Sequence, residues 1–291
     1  MNCPALLAVA LWLVAGATTA APARATETIA TVAAENVYGG VARQIGGPAV
    51  AVTSIINSPG QDPHLFEASP SVVRQVADAR IVIVNGAGYD PWMARLLKTA
   101  PRSERMVIDV GRLLGSTPGG NPHLWYDPAT MPKVARALTA ALDKIDPVHA
   151  VARAERLAAT LASLGRVQAR VAQMRAKWRG TPVTATEPVF GLMAQALGLS
   201  MRNEGFQLAV MNETEPSAHD LAAIEDDLRH RKVKALIYNK QVSSPLTARL
   251  IAIAEQANVP VVAVTEMQPP NVSFVNWMLG ELDALDRALG S

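Results

Sequence analysis

The sequence predicts an α/β protein with two lobes, each containing a mostly parallel sheet flanked by helices, joined by one long backbone helix. Short apolar stretches alternate with helix-like stretches in both halves of the 291-residue chain, which is typical of parallel sheets. A proline-free stretch rich in alanine, leucine, valine and arginine, residues 148–178, separates the halves. A continuous helix of that length would span about 45 Å.

The N-terminus carries the pattern of a secretory signal peptide. An apolar run at residues 5–15 is too short to span a bilayer, and the A-x-A site Ala23-Arg24-Ala25 follows it. We therefore expect residues 1–25 to be removed and the mature protein to be periplasmic, although the first four residues contain no Lys or Arg. A buried N-terminal helix is the alternative. Cys3 precedes the apolar run, so the mature chain would have no cysteine and no Cys-type metal site.

The first lobe is expected at residues 26–146. Ser69-Pro70 and Asp127-Pro128 each place a capping side chain before a proline, which predicts a helix beginning at that proline. The predicted strands are 29–34, 50–56, 81–85 and 106–110, and the predicted helices are 37–45, 70–79 and 91–98.

The linking helix is expected at residues 147–179 and the second lobe at 180–291. Two shorter helices broken at Gly165 are the alternative to one long helix. Ser217 and Asp220 have the spacing of a capping box. The predicted strands are 183–186, 235–238 and 261–264, and the predicted helices are 189–197, 217–231, 245–258 and 274–289.

Composition excludes several functions. A net charge of +2, the absence of a Lys/Arg cluster and an aromatic content of 4% all argue against nucleic-acid binding. The sequence contains no dinucleotide-binding fingerprint and no P-loop.

Two histidines stand in nearly identical surroundings, although the chain has only five. His64 lies in "DPHLFEASP" and His123 in "NPHLWYDP", each after a proline and before a helix. A single loop histidine is usually a solvated surface residue, but the repeated context aims both rings alike. The following leucine and aromatic residue supply apolar walls. His149, His219 and His230 lie in or beside helical segments and are expected at the surface.

The second half offers two carboxylates at the ends of apolar strands. Glu187 follows "VTAT" and Glu266 follows "VVAV". Either could serve as a helix cap, but together with two histidines they form a donor set suited to a divalent transition ion. Glu67 and Asp127, near the histidines, are better explained by the following helix N-termini.

These motifs resemble the substrate-binding proteins of metal-ion ABC importers, the ZnuA/TroA-like family. The resemblance covers essentially the whole mature chain and rests on "DPHLFEASP", "NGAGYDPWM", "NPHLWYDP", "TEPVFGLMAQALGL" and "VTEMQPP". It implies two α/β lobes on one long helix, with a metal between them and one ligand from each of four loops. It also implies a membrane permease as partner, and we expect a monomer without catalytic activity.

By matching motifs, the resemblance implies that His64 and His123 are the ligands of the first lobe. Glu187 stands where zinc-binding relatives usually have histidine and manganese-binding relatives often have glutamate. Glu266 replaces the usual aspartate, so whether it coordinates directly is open. "STPGGNP" is shorter than the His/Asp-rich loop of many zinc relatives, and "YNKQ" lacks an acidic residue that some relatives carry there.

The donor set leaves zinc, manganese and iron open as cargo. Two carboxylates cancel the charge of a divalent ion, which limits the cost of burying it. Zinc is expected to bind more tightly than manganese in isolation, whichever ion is carried in the cell. Affinity is expected to fall on acidification, because protonated imidazole cannot bind a metal.

Three other functions are alternatives or additions to metal capture. A secreted zinc hydrolase would need an open coordination position and a general base, and no HExxH motif occurs. A two-lobed binding protein for an organic or chelated ligand, such as a siderophore, would need several aromatics or arginines around a broad cleft. An adhesin role would coexist with metal capture.

Overall fold

The computed structural model describes residues 28–58, 66–116, 119–242 and 244–291. The proposed signal peptide and His64 lie outside these ranges. No helix within them is long and apolar enough to cross a membrane.

The first lobe contains a four-stranded parallel sheet of order β2-β1-β3-β4. Its strands are β1 (Ile29–Glu35), β2 (Val50–Ile56), β3 (Ile81–Val84) and β4 (Met106–Asp109), and its helices are α1 (Asn36–Gly46), α2 (Pro70–Asp78), α3 (Pro91–Thr99), α4 (Val110–Leu114) and α5 (Thr130–Ile145). The four predicted strands are confirmed to within a residue or two at each end. The strand β3 is completely buried, as expected for a strand covered by helices on both faces.

Local capping explains where the helices of this lobe begin. Ser69 accepts a hydrogen bond from the backbone N–H of Val72, so α2 starts at Pro70 as predicted. The same prediction at Asp127-Pro128 is wrong. Asp127 Oδ1 accepts from the backbone N–H of Ala129, which forms a turn, and α5 begins only at Thr130.

The helix α6 (Ala150–Trp178) is continuous over 29 residues, so a break at Gly165 is wrong. Arg156 Nε donates to the carbonyl of Ile45 in the first lobe over 2.9 Å. Near the other end, Trp178 Nε1 donates to Asp286 Oδ1 over 2.6 Å. Side-chain hydrogen bonds therefore attach both lobes to the same helix, α6.

The second lobe repeats the strand order of the first, as β6-β5-β7-β8, again with all strands parallel. Its elements are β5 (Pro182–Ala185), α7 (Gly191–Leu197), β6 (Ser200–Arg202), α8 (Glu204–Met211), α9 (Ala218–Arg229), β7 (Leu236–Asn239), α10 (Pro245–Gln256), β8 (Val261–Val264) and α11 (Phe274–Leu289). Ser217 caps α9 as predicted by accepting from the backbone N–H of Asp220. The sequence did not predict β6 or α8. Together the two sheets confirm the predicted fold class.

Candidate metal site

His123 lies between the lobes and is 2% exposed. It precedes a short 3₁₀ turn, Leu124–Tyr126, in the loop that follows α4. Its Nε2 is 3.3 Å from Oε1 of Glu266, which lies in the loop after β8 and is 5% exposed. The structure thus brings together two of the four predicted site residues, one from each lobe.

Asn121 fixes the orientation of the His123 ring. Its Oδ1 accepts from the backbone N–H of His123 over 3.0 Å and lies 2.8 Å from Nδ1 of the same residue. Because an amide oxygen only accepts, the ring proton lies on Nδ1 and the lone pair of Nε2 faces Glu266. The sequence analysis assigned Glu67 and Asp127 to helix N-termini and did not identify this asparagine as the partner of the ring.

Asn121 also joins the His123 loop to the Glu187 loop. Its Nδ2 donates to the carbonyl of Pro188, directly after Glu187, over 2.6 Å. A Cβ at Gly191 would lie 2.8 Å from this nitrogen, so glycine is needed there for the approach. The His123 loop and the Glu187 loop are therefore joined by a direct hydrogen bond.

The Glu266 carboxylate is held from both lobes. The Tyr89 hydroxyl, in the loop after β3, donates to Oε1 over 2.8 Å. Asn239, at the end of β7, donates through Nδ2 to Oε2 over 3.1 Å, and the same nitrogen is 3.4 Å from Glu187 Oε2. The half-buried Glu187 and the buried Glu266 are thus brought to one amide group.

Aromatic side chains form a wall behind His123, as predicted from the motif. Trp125 is fully buried, and its ring meets those of His123 and Tyr89 edge to face at centroid distances of 5.6 and 5.0 Å. Phe66, the aromatic residue of the first motif, packs on Trp92 at 4.5 Å. Both motif aromatics therefore contact residues of "NGAGYDPWM".

The carboxylate of Glu281 forms a second hydrogen-bond network, which supports the loop that carries Glu266. Glu281 Oε1 accepts from the backbone N–H of Thr265 and from Trp277 Nε1, and its Oε2 is 2.8 Å from the Tyr126 hydroxyl. Burial raises the pKa of Glu281 to about 7. Tyr126 belongs to the first lobe, so this network is another contact between the lobes.

Two more acidic side chains, those of Glu35 and Asp90, are buried in the first lobe near the site. Glu35, at the end of β1, is fully buried, and neither of its oxygens accepts a hydrogen bond from the described residues. Burial, together with the nearby Asp90, raises its pKa well above the usual range. Burial also raises the pKa of Asp90 to about 6, although the backbone N–H groups of Gly86 and Asn85 lower it.

Not every predicted ligand can be placed. His64 falls within residues 59–65, outside the described residues. Across the part of the chain that is described, no three His, Cys, Asp or Glu side chains are arranged to hold a metal ion. Asn121, Asn239, Tyr89 and Glu35 were missed by sequence reasoning. The signal for Asn239 was an asparagine ending an apolar strand, "LIYN", and "IVIVN" shows the same pattern in the first lobe.

Two parallel-sheet lobes on one long helix, with polar side chains of both meeting between them, define a two-lobed ligand-binding protein. The family described as ZnuA, zinc-uptake complex component A, periplasmic, matches residues 31–288, and the chain belongs to that family. This is a family of substrate-binding proteins of ABC importers and not of enzymes, so the predicted binding role is confirmed. The family does not support the siderophore alternative.

Relatives named as manganese- or zinc-binding proteins align with most of the chain. The manganese ABC transporter substrate-binding lipoprotein PsaA of Streptococcus mitis is 22% identical over 301 residues, covering 95% of this chain and 94% of that protein. The zinc-binding protein TroA of Treponema pallidum (strain Nichols) is 27% identical over 194 residues, covering 63% of this chain and 61% of that protein. The periplasmic zinc-binding protein TroA structure from Treponema pallidum superposes with a TM-score of 0.76 at 19% identity, covering 90% of this chain and 99% of that one. This superposition shows a shared fold.

Membership in the ZnuA family places the protein outside the cytoplasm, with a membrane permease as its partner. Relatives of this kind are extracytoplasmic components of metal ABC importers. Their names include both zinc and manganese, so the family itself leaves the cargo of this chain between these ions.

Proposed function

We propose that His64, His123, Glu187 and Glu266 hold one zinc or manganese ion between the lobes, for delivery to an ABC permease. The lobes would correspond to residues 26–146 and 180–291, with 147–179 as the connection. The protein would work as a monomer that carries the ion and does not transform it.

One observation carries this proposal, the 3.3 Å separation between His123 Nε2 and Glu266 Oε1. Two ligands bound to one tetrahedral zinc at bond lengths of 2.0–2.1 Å lie about 3.3 Å apart. An ion could therefore bind both atoms with little movement of either. The Nε2 lone pair is available because Nδ1 keeps the ring proton and donates it in a hydrogen bond to Asn121 Oδ1.

Charge supports the same assignment. Glu187 and Glu266 together would neutralise a divalent ion, and the two histidines would bind as neutral donors. Without an ion, two carboxylates share one amide donor in a poorly solvated place, which is electrostatically unfavourable. A bound cation would relieve that repulsion.

The decisive experiment is metal binding by the chain from residue 26, stripped with chelator and offered zinc or manganese separately. We expect one ion per chain and a higher melting temperature, since an ion at a thousand times its Kd stabilises the folded state by about 4 kcal/mol. His64→Ala and His123→Ala should each abolish this shift. His219→Ala, which removes an exposed histidine, is the matched control and should retain it.

Binding that is undiminished in both the His64 and His123 variants would contradict the site. Binding of neither ion by the parent protein would contradict the function as well. Tighter binding of zinc than of manganese would follow the general order of affinities and would not by itself identify the cargo in the cell.

We also propose a cleaved signal peptide and a periplasmic mature protein. The apolar run at residues 5–15 and the Ala23-Arg24-Ala25 site support it. Mass spectrometry of the exported protein is expected to find Thr26 at the N-terminus. A product that retains Met1 would contradict cleavage.

A further inference from the structure

The loop that follows β8, residues 265–268, is attached to the second lobe through its N–H groups. The backbone N–H of Thr265 donates to Glu281 Oε1 over 2.9 Å, and that of Met267 donates to Gln241 Oε1 over 2.7 Å. Both acceptors belong to the second lobe. The loop therefore moves with the second lobe when the lobes separate.

Three oxygen atoms of the same loop are held by side chains of the first lobe. The contacts are Tyr126 Oη to the carbonyl of Thr265 at 2.7 Å, Tyr89 Oη to Glu266 Oε1 at 2.8 Å, and Asn36 Nδ2 to the carbonyl of Gln268 at 2.8 Å. Asn36 Nδ2 also lies 3.4 Å from the carbonyl of Asn57, which follows β2. Both bonds of Asn36 go to backbone carbonyls, so neither of them engages the Glu266 carboxylate.

A related contact joins the lobes through another pair of loops. The sequence Glu-x-Val-aromatic-Gly occurs where β1 ends, at residues 35–39, and where β5 ends, at residues 187–191. Asn36 and Pro188 occupy the second position of this motif. Asn36 bonds to the loop after β8, and the carbonyl of Pro188 accepts from Asn121 in the segment between α4 and α5. Since β4 and β8 hold equivalent places in the two sheets, each motif contacts the segment that follows the same strand of the other lobe.

Asn36 allows lobe closure to be changed separately from metal coordination. Asn121 does not, because it also orients the ring of His123. The bond from Asn36 to Gln268 lies beside a cavity of about 240 Å³ between the lobes, which Ser54 also lines. Water can solvate both groups once the lobes separate, so the bond contributes the modest net stabilisation of a hydrogen bond that competes with water.

We propose that Asn36 is a positioning residue that holds the two lobes closed over the bound ion and slows its release. This inference rests on the proposed function. His123 and Glu266 belong to opposite lobes, so their separation moves residues 265–268 away from the first lobe. That movement breaks the bond from Asn36 to Gln268, which therefore raises the barrier to release without contacting the ion.

Asn36→Ala and Asn36→Leu test this proposal, since both remove the N–H donors without changing the charge and leucine keeps the bulk of the side chain. The measurement is the rate of metal release when the chain from residue 26, loaded with Zn²⁺ or separately with Mn²⁺, is mixed rapidly with excess EDTA. We expect release to be roughly 2–10-fold faster in both variants, as for the net loss of one hydrogen bond. The rate of metal binding should stay nearly unchanged, so Kd should rise by the same factor. The melting temperature of each metal-free variant verifies that it folds.

Ser54→Ala is the matched control. Ser54 lines the same cavity, and its hydroxyl has no hydrogen-bond partner among the described residues, so its removal should leave the release rate unchanged. Hydrogen exchange of the metal-loaded proteins gives a second readout, because residues 265–268 become accessible to solvent when the lobes separate. Exchange there should be faster in both Asn36 variants, while exchange in the buried strand β3 should stay as in the parent protein.

Four results would overturn the proposal. Release rates that match the parent protein in both Asn36 variants would show that the bond does not retain the ion, while metal capture itself would stand. Faster release in Asn36→Ala alone would assign the effect to side-chain volume and not to the hydrogen bond. An equal acceleration in Ser54→Ala, or faster exchange in β3, would assign it to a general loss of stability. A parent protein that binds neither ion would overturn the proposed function and this inference together.

Discussion

Glu281→Gln is expected to be about 3 kcal/mol more stable than the parent protein near pH 8, and nearly equal to it near pH 4. Burial raises the pKa of Glu281 from 4.5 to about 7 in the folded protein. A raised pKa means that the folded state holds the proton more tightly than the unfolded state. The stabilisation that this tighter proton binding gives is complete below the pKa of Glu281 in the unfolded state. It is lost as the pH rises from about 4.5 through 7.

The hydrogen bonds around Tyr126 independently favour a protonated Glu281. The Tyr126 hydroxyl lies 2.7 Å from the carbonyl of Thr265 and 2.8 Å from Glu281 Oε2. A phenol has one proton and can donate it to only one of these oxygens. If Glu281 carries a proton on Oε2, it donates to the phenol, and the phenol donates to Thr265. Glutamine supplies the same donor at any pH.

Urea denaturation of both metal-free proteins at several pH values measures this difference. Other groups whose pKa is raised, such as Asp90 with its pKa of about 6, titrate in both proteins. Their contribution to the pH dependence of stability therefore cancels when the two proteins are compared. Glu281→Ala is the control and should be less stable at every pH, since it leaves the backbone N–H of Thr265 and Trp277 Nε1 without their acceptor. A pH-independent gap between parent and glutamine variant would show that Glu281 is not the titrating group.

Local signals explain how much of the fold was predictable. Ser69 and Ser217 cap helices within three residues of themselves, so their sequence pattern and their structure agree. The strand 261–264 is apolar and short, and it was predicted with its observed bounds. The two-lobe architecture followed because the same alternation occurs on both sides of one uninterrupted helical stretch.

The segment containing β6 and α8 was missed because distant contacts determine it. The strand β6 has only three residues and forms by pairing with β5, as in Val183 opposite Met201. The helix that follows begins after Asn203, whose φ is 59°. Such a left-handed residue at a helix start carries no strong sequence signal, although asparagine tolerates it better than most residues.

The candidate site was predictable by residue type but not by contact. Histidine and glutamate were notable because they stand at the ends of apolar strands or in repeated motifs. The hydrogen bond from Tyr89 to Glu266 joins residues 177 positions apart, and the bond from Asn121 to Pro188 joins residues 67 apart. A neutral amide or phenol has no distinctive local pattern, so these partners became visible only in the folded chain.

Trp125→Ala is expected to lower the free energy of unfolding by about 3–5 kcal/mol, the usual cost of deleting a large buried aromatic ring. Trp125 is fully buried and packs edge to face on Tyr89, His123 and, at a tilt, on Tyr126. Its removal would leave a cavity behind the His123 ring. That ring would then lose the wall that limits its movement, so metal affinity should fall together with stability.

Trp125→Phe separates ring packing from the rest of the indole. Nε1 of Trp125 has no hydrogen-bond partner among the described residues, so phenylalanine removes an unsatisfied buried donor while keeping an aromatic ring in place. We expect this variant to lose only roughly 1–2 kcal/mol, from the smaller ring volume. Urea denaturation of the metal-free proteins measures both values. Equal losses in the two variants would mean that the indole nitrogen has a partner in solution, and an alanine variant as stable as the parent would mean that the wall behind His123 does not hold the first lobe together.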